Sequence, residues 1–267
     1  MQEMTLDTLF AQGQIRLAEI SVFNWGSFHN LHTARIDPEG TLITGDNGAG
    51  KSTFIDGLMA LLQPASKASF NVAAAQGDRS DRSLVTYMRG SYGSEHDGSS
   101  TKVKSKREKA VTTALRALYI AEDGSQITLI GLFWLGQGKN SLSDVNRLYM
   151  IASRNVLLTE VLEIFADGNT RQLKQHFNPK TDQRIHYFES DFKSYQDMYR
   201  KYLFMDNQNA PALLSRALGL KKIDDLTKLI RELVLEPSNL RETAQTAVNE
   251  FADLEANYKH LVDTREQ

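Results

Sequence analysis

The residues best suited to chemistry lie in one short segment near the N-terminus. This segment consists of Gly45, Asp46, Asn47, Gly48, Ala49, Gly50, Lys51, Ser52 and Thr53. Its spacing fits the phosphate-binding pattern G-x-x-x-x-G-K-[ST], in which glycines let successive backbone N–H groups face a phosphate. The helix predicted to follow adds its positive N-terminal end. The segment therefore predicts a site for a nucleoside triphosphate, with ATP and Mg²⁺ as the expected ligands.

Three side chains of this segment have predicted roles. Lys51 is the expected catalytic residue, because its ammonium group can bridge the β- and γ-phosphates. The Ser52 hydroxyl is the expected Mg²⁺ ligand. Asn47 is the candidate for orienting water or the γ-phosphate, since its side chain is fixed to the loop.

A phosphate-binding loop needs a strand before it and a helix after it. Residues 41–44 predict this strand, and the amphipathic segment 53–62 predicts a helix that Pro64 ends. Other strands are predicted at 15–25, 32–36, 111–120, 126–135 and 147–153, with a helix at 83–89 and helical spacing from Tyr195 onward. Residues 65–82 and 90–100 are rich in small and polar residues and predict loops.

A complete P-loop NTPase also needs an apolar strand that ends in an Asp and holds the Mg²⁺ shell. One candidate is the segment 202–206, which ends in Asp206. A second, 118–123, runs into Asp123-Gly124, and Asp-Gly between apolar runs is foremost a hairpin turn. No segment similar to L-S-G-G-Q occurs in the sequence. The chain therefore resembles half of an ATPase.

The C-terminal residues show the spacing of a coiled coil. Apolar residues alternate at intervals of four and three: Leu240, Ala244, Ala247, Phe251, Leu254, Tyr258 and Leu261. The alternative is an ordinary amphipathic helix that packs on the domain. The pattern still runs at Gln267, so we expect a longer coiled coil to leave the domain here.

These features together resemble the SMC-like ATPases. The closer resemblance is to their MukB-like branch, which includes the JetC or MksB subunits of Wadjet plasmid-defence and MksBEF condensin systems. The matching segments include 23–28 (FNWGSF), 42–53 (LITGDNGAGKST), 81–90 (DRSLVTYMRG) and 222–237 (KIDDLTKLIRELVLEP). The resemblance implies an α/β fold of the ABC/SMC type, with a mixed sheet around the P-loop helix. Residues 1–237 would form the N-terminal half of the ATPase head, and residues 238–267 the start of the coiled coil.

The same resemblance implies an ATPase that is active only when a C-terminal half-head supplies the Walker B and signature motifs. Two completed heads would form a homodimer around ATP and drive loop extrusion or translocation on double-stranded DNA, in plasmid defence or in chromosome organisation. The expected partners are a kleisin, a KITE subunit and, in defence systems, a plasmid-cleaving nuclease. Two other functions stay open: a self-sufficient P-loop NTPase that uses Asp206, and a nucleotide-binding DNA scaffold without turnover.

ABC-type heads also use a glutamine between their two lobes to contact Mg²⁺ and the attacking water. Gln208 is the candidate here, since it follows an apolar segment and precedes a helical one. The corresponding family segment aligns nearer residues 214–221, which contain no glutamine. The sequence departs from the family pattern at this point.

A basic cluster follows the polar segment 90–100. It consists of Lys102, Lys104, Lys106, Arg107 and Lys109, and Glu108 is the only acidic residue among them, which gives a local charge of +4. These residues could neutralise DNA phosphates, and the alternative is a solvated loop. A second basic group comprises Arg79, Arg82 and Arg89, which we interpret first as surface or structural arginines.

The overall composition is that of an ordinary globular protein. The 267 residues carry a net charge of −2, which neither requires nor excludes nucleic acid as a partner. The absence of cysteine excludes a disulfide framework and thiolate chemistry. The N-terminal residues lack a secretion signal, and the longest apolar run, 127–136, is about half of a membrane span. We therefore expect a cytoplasmic protein with no membrane partner, and the resemblance implies association with the nucleoid.

Overall fold

The fold is built on one six-stranded sheet and a separate two-stranded hairpin. A computed structural model describes residues 15–64, 83–97, 100–165, 168–205, 207 and 210–213. The strands are β1 (Ile15–Phe23), β2 (Leu31–Arg35), β3 (Ser91–Asp97), β4 (Ser100–Ser105), β5 (Val111–Ala121), β6 (Gln126–Leu135), β7 (Asn146–Ala152) and β8 (Ile185–Glu189). The helices are α1 (Lys51–Leu62), α2 (Leu84–Arg89), α3 (Leu158–Ile164), α4 (Thr170–His176) and α5 (Phe192–Tyr202).

Every pair of neighbouring strands in the large sheet is antiparallel. The strand order is β2-β1-β5-β6-β7-β8, and among the described strands β3 pairs only with β4. The β5–β6 hairpin turns at Gly124, whose φ is +79°, and the Asp123 carboxylate accepts a hydrogen bond from the Ser125 N–H at 2.8 Å. This confirms the hairpin turn predicted from Asp123-Gly124.

Alternation along the central strands gives the sheet two buried faces. On β5 and β6, Leu115 and Leu129 lie in one apolar cluster, whereas Ala114 and Ile130 lie in the other. The first cluster also contains buried residues of α1, α2 and α5, and the second contains those of α3 and α4. Because successive side chains of a strand point to opposite faces, the long apolar runs of β5 and β6 fit a sheet covered on both sides.

Helix α1 lies close to the middle of the sheet because small residues are placed where they meet. A Cβ atom on Gly57 of α1 would lie 3.1 Å from Val22 of β1 and 3.4 Å from Leu115 of β5. A Cβ atom on Gly131 of β6 would lie 3.0 Å from Leu61 of α1. These two glycines allow the helix to contact β1, β5 and β6 at short range.

Helix α5 is fastened to the C-terminal end of α1. The Tyr199 hydroxyl donates a hydrogen bond to the Leu62 carbonyl at 2.8 Å, and both residues are buried. That carbonyl is among the last four of α1, which have no partner within the helix. Tyr195 of the same helix stacks on Tyr149 of β7, with ring centroids 4.6 Å apart.

The strand predicted at 41–44 is wrong, and the candidate strand at 202–206 does not form in its described residues. Residues 41–46 form no strand with any described segment, and Leu42 and Ile43 are 86% and 38% exposed. The sheet predicted to be mixed is therefore antiparallel throughout the described residues. The apolar segment at 202–205 is the last residue of α5 and the turn after it, and Leu203 is buried against the core instead of extending as a strand. Asp206 itself lies outside the described residues.

Several other elements differ from the sequence prediction or extend it. The polar segment predicted as a loop at 90–100 is mostly strand β3, and β4 carries the first two lysines of the basic cluster. Strand β8 and helices α3 and α4 were not predicted. The strands at 15–25, 32–36, 111–120, 126–135 and 147–153 and the helices at 53–62 and 83–89 are confirmed, and no end is shifted by more than two residues. Residues 65–82 and 238–267, with the predicted coiled coil, lie outside the described residues.

We expect Tyr199→Phe to lower the free energy of unfolding by about 1 kcal/mol, because the Leu62 carbonyl loses its buried donor. Urea denaturation followed by circular dichroism measures this change. Tyr92→Phe is the matched control, since Tyr92 is 66% exposed and its hydroxyl can bond to water. An equal effect of both changes would contradict a specific role for the α1–α5 hydrogen bond.

Candidate nucleotide-binding site

The predicted phosphate-binding segment forms a loop whose glycines adopt backbone angles unfavourable for other residues. Gly45, Gly48 and Gly50 have φ angles of +146°, +86° and +95°. Residues with a Cβ atom rarely adopt such angles. Gly50 is also the residue before α1, and no side chain caps the first turn of that helix. The loop therefore presents backbone and a helix N-terminus, which suits an anion.

Lys51, the first residue of α1, folds back over the loop. Its ammonium group donates hydrogen bonds to the carbonyls of Gly45 at 2.7 Å and Asp46 at 2.8 Å. The next residue, Ser52, is exposed. The lysine is therefore held above the loop where phosphate oxygens can take its hydrogen bonds, and the Ser52 hydroxyl is accessible to a metal ion.

A second loop, residues 24–30 between β1 and β2, lies directly against the P-loop. A Cβ atom on Gly50 would be 2.9 Å from the Ser27 hydroxyl and 3.1 Å from the Phe28 ring. A Cβ atom on Gly26, which has φ +55°, would be 2.4 Å from the Thr53 methyl group. Glycine is thus required on both sides of this contact, and residues 26–28 form one wall of the P-loop.

Trp25 anchors this second loop to α1. Its indole N–H donates to the Thr53 carbonyl at 2.7 Å, and its ring stacks on Tyr87 of α2 with centroids 4.5 Å apart and an interplanar angle of 12°. The Tyr87 hydroxyl donates in turn to the buried Asp56 carboxylate of α1 at 2.5 Å. The start of α1 is therefore held by the 24–30 loop and α2 together. Sequence reasoning assigned no role to these residues, although the segment FNWGSF was among those that carried the resemblance.

The residues predicted to contact DNA divide into two groups. Lys102 and Lys104 lie on β4, and Lys106 and Lys109 follow it as exposed residues. Arg107 is partly buried, and each of its four hydrogen bonds ends on a main-chain carbonyl. Arg107 therefore stabilises neighbouring main chain, unlike the four lysines.

Arg89 is a structural arginine, as the sequence suggested. Its side chain is 4% exposed and donates to the carbonyls of Arg107, Lys109, Gly136 and Lys139 and to the Asn140 side chain. Burial lowers the pKa of its guanidinium, which nevertheless stays protonated at neutral pH. Arg79, Arg82 and Gln208 lie outside the described residues.

Comparison with known families agrees with the geometry of the loop. Residues 17–77 match a family model described as the P-loop containing region of AAA domain. The matched segment is similar to a P-loop region. The match covers β1, β2, the P-loop and α1, which are the elements that form the cradle. It supports nucleotide binding, typically with Mg²⁺, and NTPase-type chemistry. A search of curated proteins finds no match for the chain.

No helix in the described part of the chain combines the length and the apolar character that a membrane span needs.

We expect Gly50→Ala to abolish nucleotide binding, because the new methyl group would meet Ser27 and Phe28 and the residue would be held at a strained positive φ. Gly138→Ala is the control for backbone strain alone. Gly138 also has a positive φ, +75°, but nothing lies within 4 Å of an added Cβ atom. Each variant should lose about 1–2 kcal/mol of stability from its backbone angle. Titration with a fluorescent ATP analogue and Mg²⁺ separates the two, since only Gly50→Ala should lose binding.

Proposed function

We propose that this chain is the ATP-binding N-terminal half of an SMC-like ATPase head, completed by a C-terminal half that carries the Walker B carboxylate and the signature motif. The P-loop cradle with Lys51 and Ser52 supports the nucleotide-binding part of this proposal. The SMC-like part rests on the resemblance of segments such as 23–28 and 222–237 and on the exposure of the residues just before the P-loop.

The observation that best supports the proposal is that the residues just before the P-loop are exposed and pair with no described strand. In P-loop proteins this segment is a strand of a sheet, and parallel strands are normally covered on both faces. Here Leu42 is 86% exposed, and residues 41–46 pair with no described strand. The cradle and its helix are nevertheless formed. A second polypeptide segment that adds strands beside 41–44 would cover both apolar side chains and place its carboxylate next to Ser52.

In the completed head, the residues of this chain would bind and orient the nucleotide. The loop amides and Lys51 would hold the phosphates, Ser52 would ligate Mg²⁺, and Asn47 would orient the γ-phosphate or water. Two such heads would enclose two ATP molecules, and hydrolysis would separate them and drive movement of DNA. A kleisin, a KITE subunit and a plasmid-cleaving nuclease are the partners proposed from the resemblance.

The rival in which the chain is a self-sufficient NTPase has less support. It requires a strand at 202–205 leading to Asp206, whereas these residues end a helix and form a turn. A nucleotide-binding scaffold without turnover is the other rival, and it is an outcome of the following experiment.

We expect the chain alone to show no ATP turnover, and the chain with its completing C-terminal half to show turnover that Lys51→Ala abolishes. Measurements with and without DNA test the coupling to DNA. Leu42→Glu is a second variant, which should prevent completion because it places a charge on the surface to be covered, while the isolated chain still binds nucleotide. Lys51-dependent turnover by the chain alone would refute the half-head. Binding without turnover in the complete assembly would favour the scaffold.

The proposed DNA contact generates a separate prediction for the lysines of the basic cluster. We expect Lys102→Gln, Lys104→Gln and Lys109→Gln together to weaken double-stranded DNA binding by the completed assembly. The slope of log affinity against log salt concentration should become shallower by the contribution of up to about three phosphate contacts. Lys106 is left unchanged because its ammonium group donates to the Ser27 carbonyl at 3.4 Å, beside the P-loop.

The control carries the same loss of charge elsewhere. Lys180, Lys193 and Lys201 are exposed and lie outside the hairpin region, so their replacement by glutamine should leave DNA binding nearly unchanged. Fluorescence anisotropy with a labelled duplex at several salt concentrations measures both triple variants. Equal losses in the two triple variants would indicate a general effect of charge and would contradict a DNA site on the basic cluster.

A further inference from the structure

Two arginines lie at the C-terminal end of helix α2, and of these only Arg107 donates hydrogen bonds to the last carbonyls of the helix and to residues 26–28 beside the P-loop. Arg107 donates to the Met88 carbonyl at 2.7 Å and to the Tyr87 carbonyl at 3.1 Å, both in the last turn of α2. A cation at a helix C-terminus, where carbonyls lack partners within the helix, is favourable. The same guanidinium donates to the carbonyls of Gly26 at 2.8 Å and Phe28 at 3.3 Å.

Arg89 is also a guanidinium donor, but its hydrogen bonds end on other segments of the chain than those of Arg107. It also donates mainly to main-chain carbonyls, and it is also partly desolvated, which lowers the pKa of both guanidinium groups. Its partners lie in residues 107–109 and 136–140, and none lies in residues 26–28. The two arginines therefore hold different segments: Arg107 holds residues 26–28, whereas Arg89 holds residues 136–140 and the main chain of residues 107 and 109.

The 26–28 wall depends on contacts from both of its sides. The P-loop lies on one side, where Ser27 and Phe28 occupy the space beside Gly50. Arg107 lies on the other side, and a Cβ atom on Gly90 would be only 2.7 Å from both its guanidinium and the Gly26 carbonyl. The Gly26 N–H also donates to the Tyr87 carbonyl at 2.8 Å, so the wall is tied to α2 by main chain as well.

We propose that Arg107 is a positioning residue of the nucleotide site: its planar guanidinium holds the carbonyls of Gly26 and Phe28, and thereby keeps the 26–28 wall pressed against Gly50 of the P-loop. The residue touches no nucleotide itself. It acts because the P-loop backbone can keep its anion-binding shape only while the neighbouring wall stays in place. This inference rests on the proposed nucleotide site.

The geometry of the guanidinium explains why a lysine cannot replace it. Four carbonyls from two segments surround a planar group whose N–H bonds point outward in fixed directions. An ammonium group carries three donors at a single point and cannot span both segments. Arg107→Lys therefore keeps the charge and removes the brace.

The test compares Arg107→Lys with Arg89→Lys in the full chain. Titration with a fluorescent ATP analogue and Mg²⁺ gives the nucleotide Kd, and thermal unfolding gives the stability of each variant. Amide hydrogen exchange reports on the 26–28 wall and on the P-loop. We expect Arg107→Lys to weaken nucleotide binding at least ten-fold and to speed exchange in residues 26–28 and 45–50. Arg89→Lys should leave the Kd within about two-fold and speed exchange in residues 136–140 instead.

The possible results distinguish a failure of the proposed nucleotide site from a failure of the proposed role of Arg107. No binding by the unaltered chain at millimolar nucleotide contradicts the proposed nucleotide site and this inference with it. Normal binding by folded Arg107→Lys overturns the inference alone, as does weaker binding by Arg107→Lys without faster exchange in residues 26–28. Phe28→Leu provides a second test that does not depend on the folding of an Arg107 variant. It loosens the same wall from the P-loop side while keeping an apolar side chain. It should also weaken nucleotide binding without affecting exchange in residues 136–140, and unchanged binding would count against the wall.

Discussion

The hydrogen bond from the Trp25 indole to the Thr53 carbonyl is the interaction on which the nucleotide site depends. Trp25 is fully buried, and a buried indole N–H without an acceptor would be costly. Its acceptor lies in the first turn of α1, one residue after the predicted Mg²⁺ ligand. The bond therefore fixes where α1 begins relative to β1. Stacking on Tyr87 brings α2 to the same point, and the glycines at 26 and 50 allow the two loops to approach.

The sheet provides a rigid base for this arrangement without supplying any chemistry of its own. Gly57 and Gly131 let α1 lie close to β1, β5 and β6, while Tyr199 fixes the other end of the helix. The opposite face is covered by α3 and α4, so the central strands are buried on both sides. A helix held at its start, its middle and its end can keep its N-terminus oriented, which is what anion binding at that end requires.

Local patterns predicted the parts of the structure that local physics decides. The glycine spacing of 45–50 predicted the loop, the Ser83 cap fits the predicted start of α2, and Asp123-Gly124 predicted the β5–β6 turn. Apolar character alone predicted a strand at 41–44 and made 202–206 a candidate strand. Neither forms in the described residues, because a strand also needs a partner and the described chain offers none to either segment. Arg107 was grouped with the neighbouring lysines because a sequence shows charge but does not show four carbonyls from other segments.

The residues before the P-loop are exposed, yet the cradle after them is fully formed, because the contacts that hold the cradle do not involve residues 41–44. The cradle is held by contacts within the described chain, through Trp25, Arg107 and the 26–28 wall, so it forms without a strand beside 41–44. Those contacts do not bury Leu42, which stays exposed to water. Burying an apolar side chain of this size contributes about 1.5–3 kcal/mol to the stability of the state in which it is covered. Under the proposed function, that apolar surface helps to drive completion of the head. Nucleotide binding and completion would then rest on different residues of the same short segment, Lys51 and Ser52 for the first, Leu42 and Ile43 for the second.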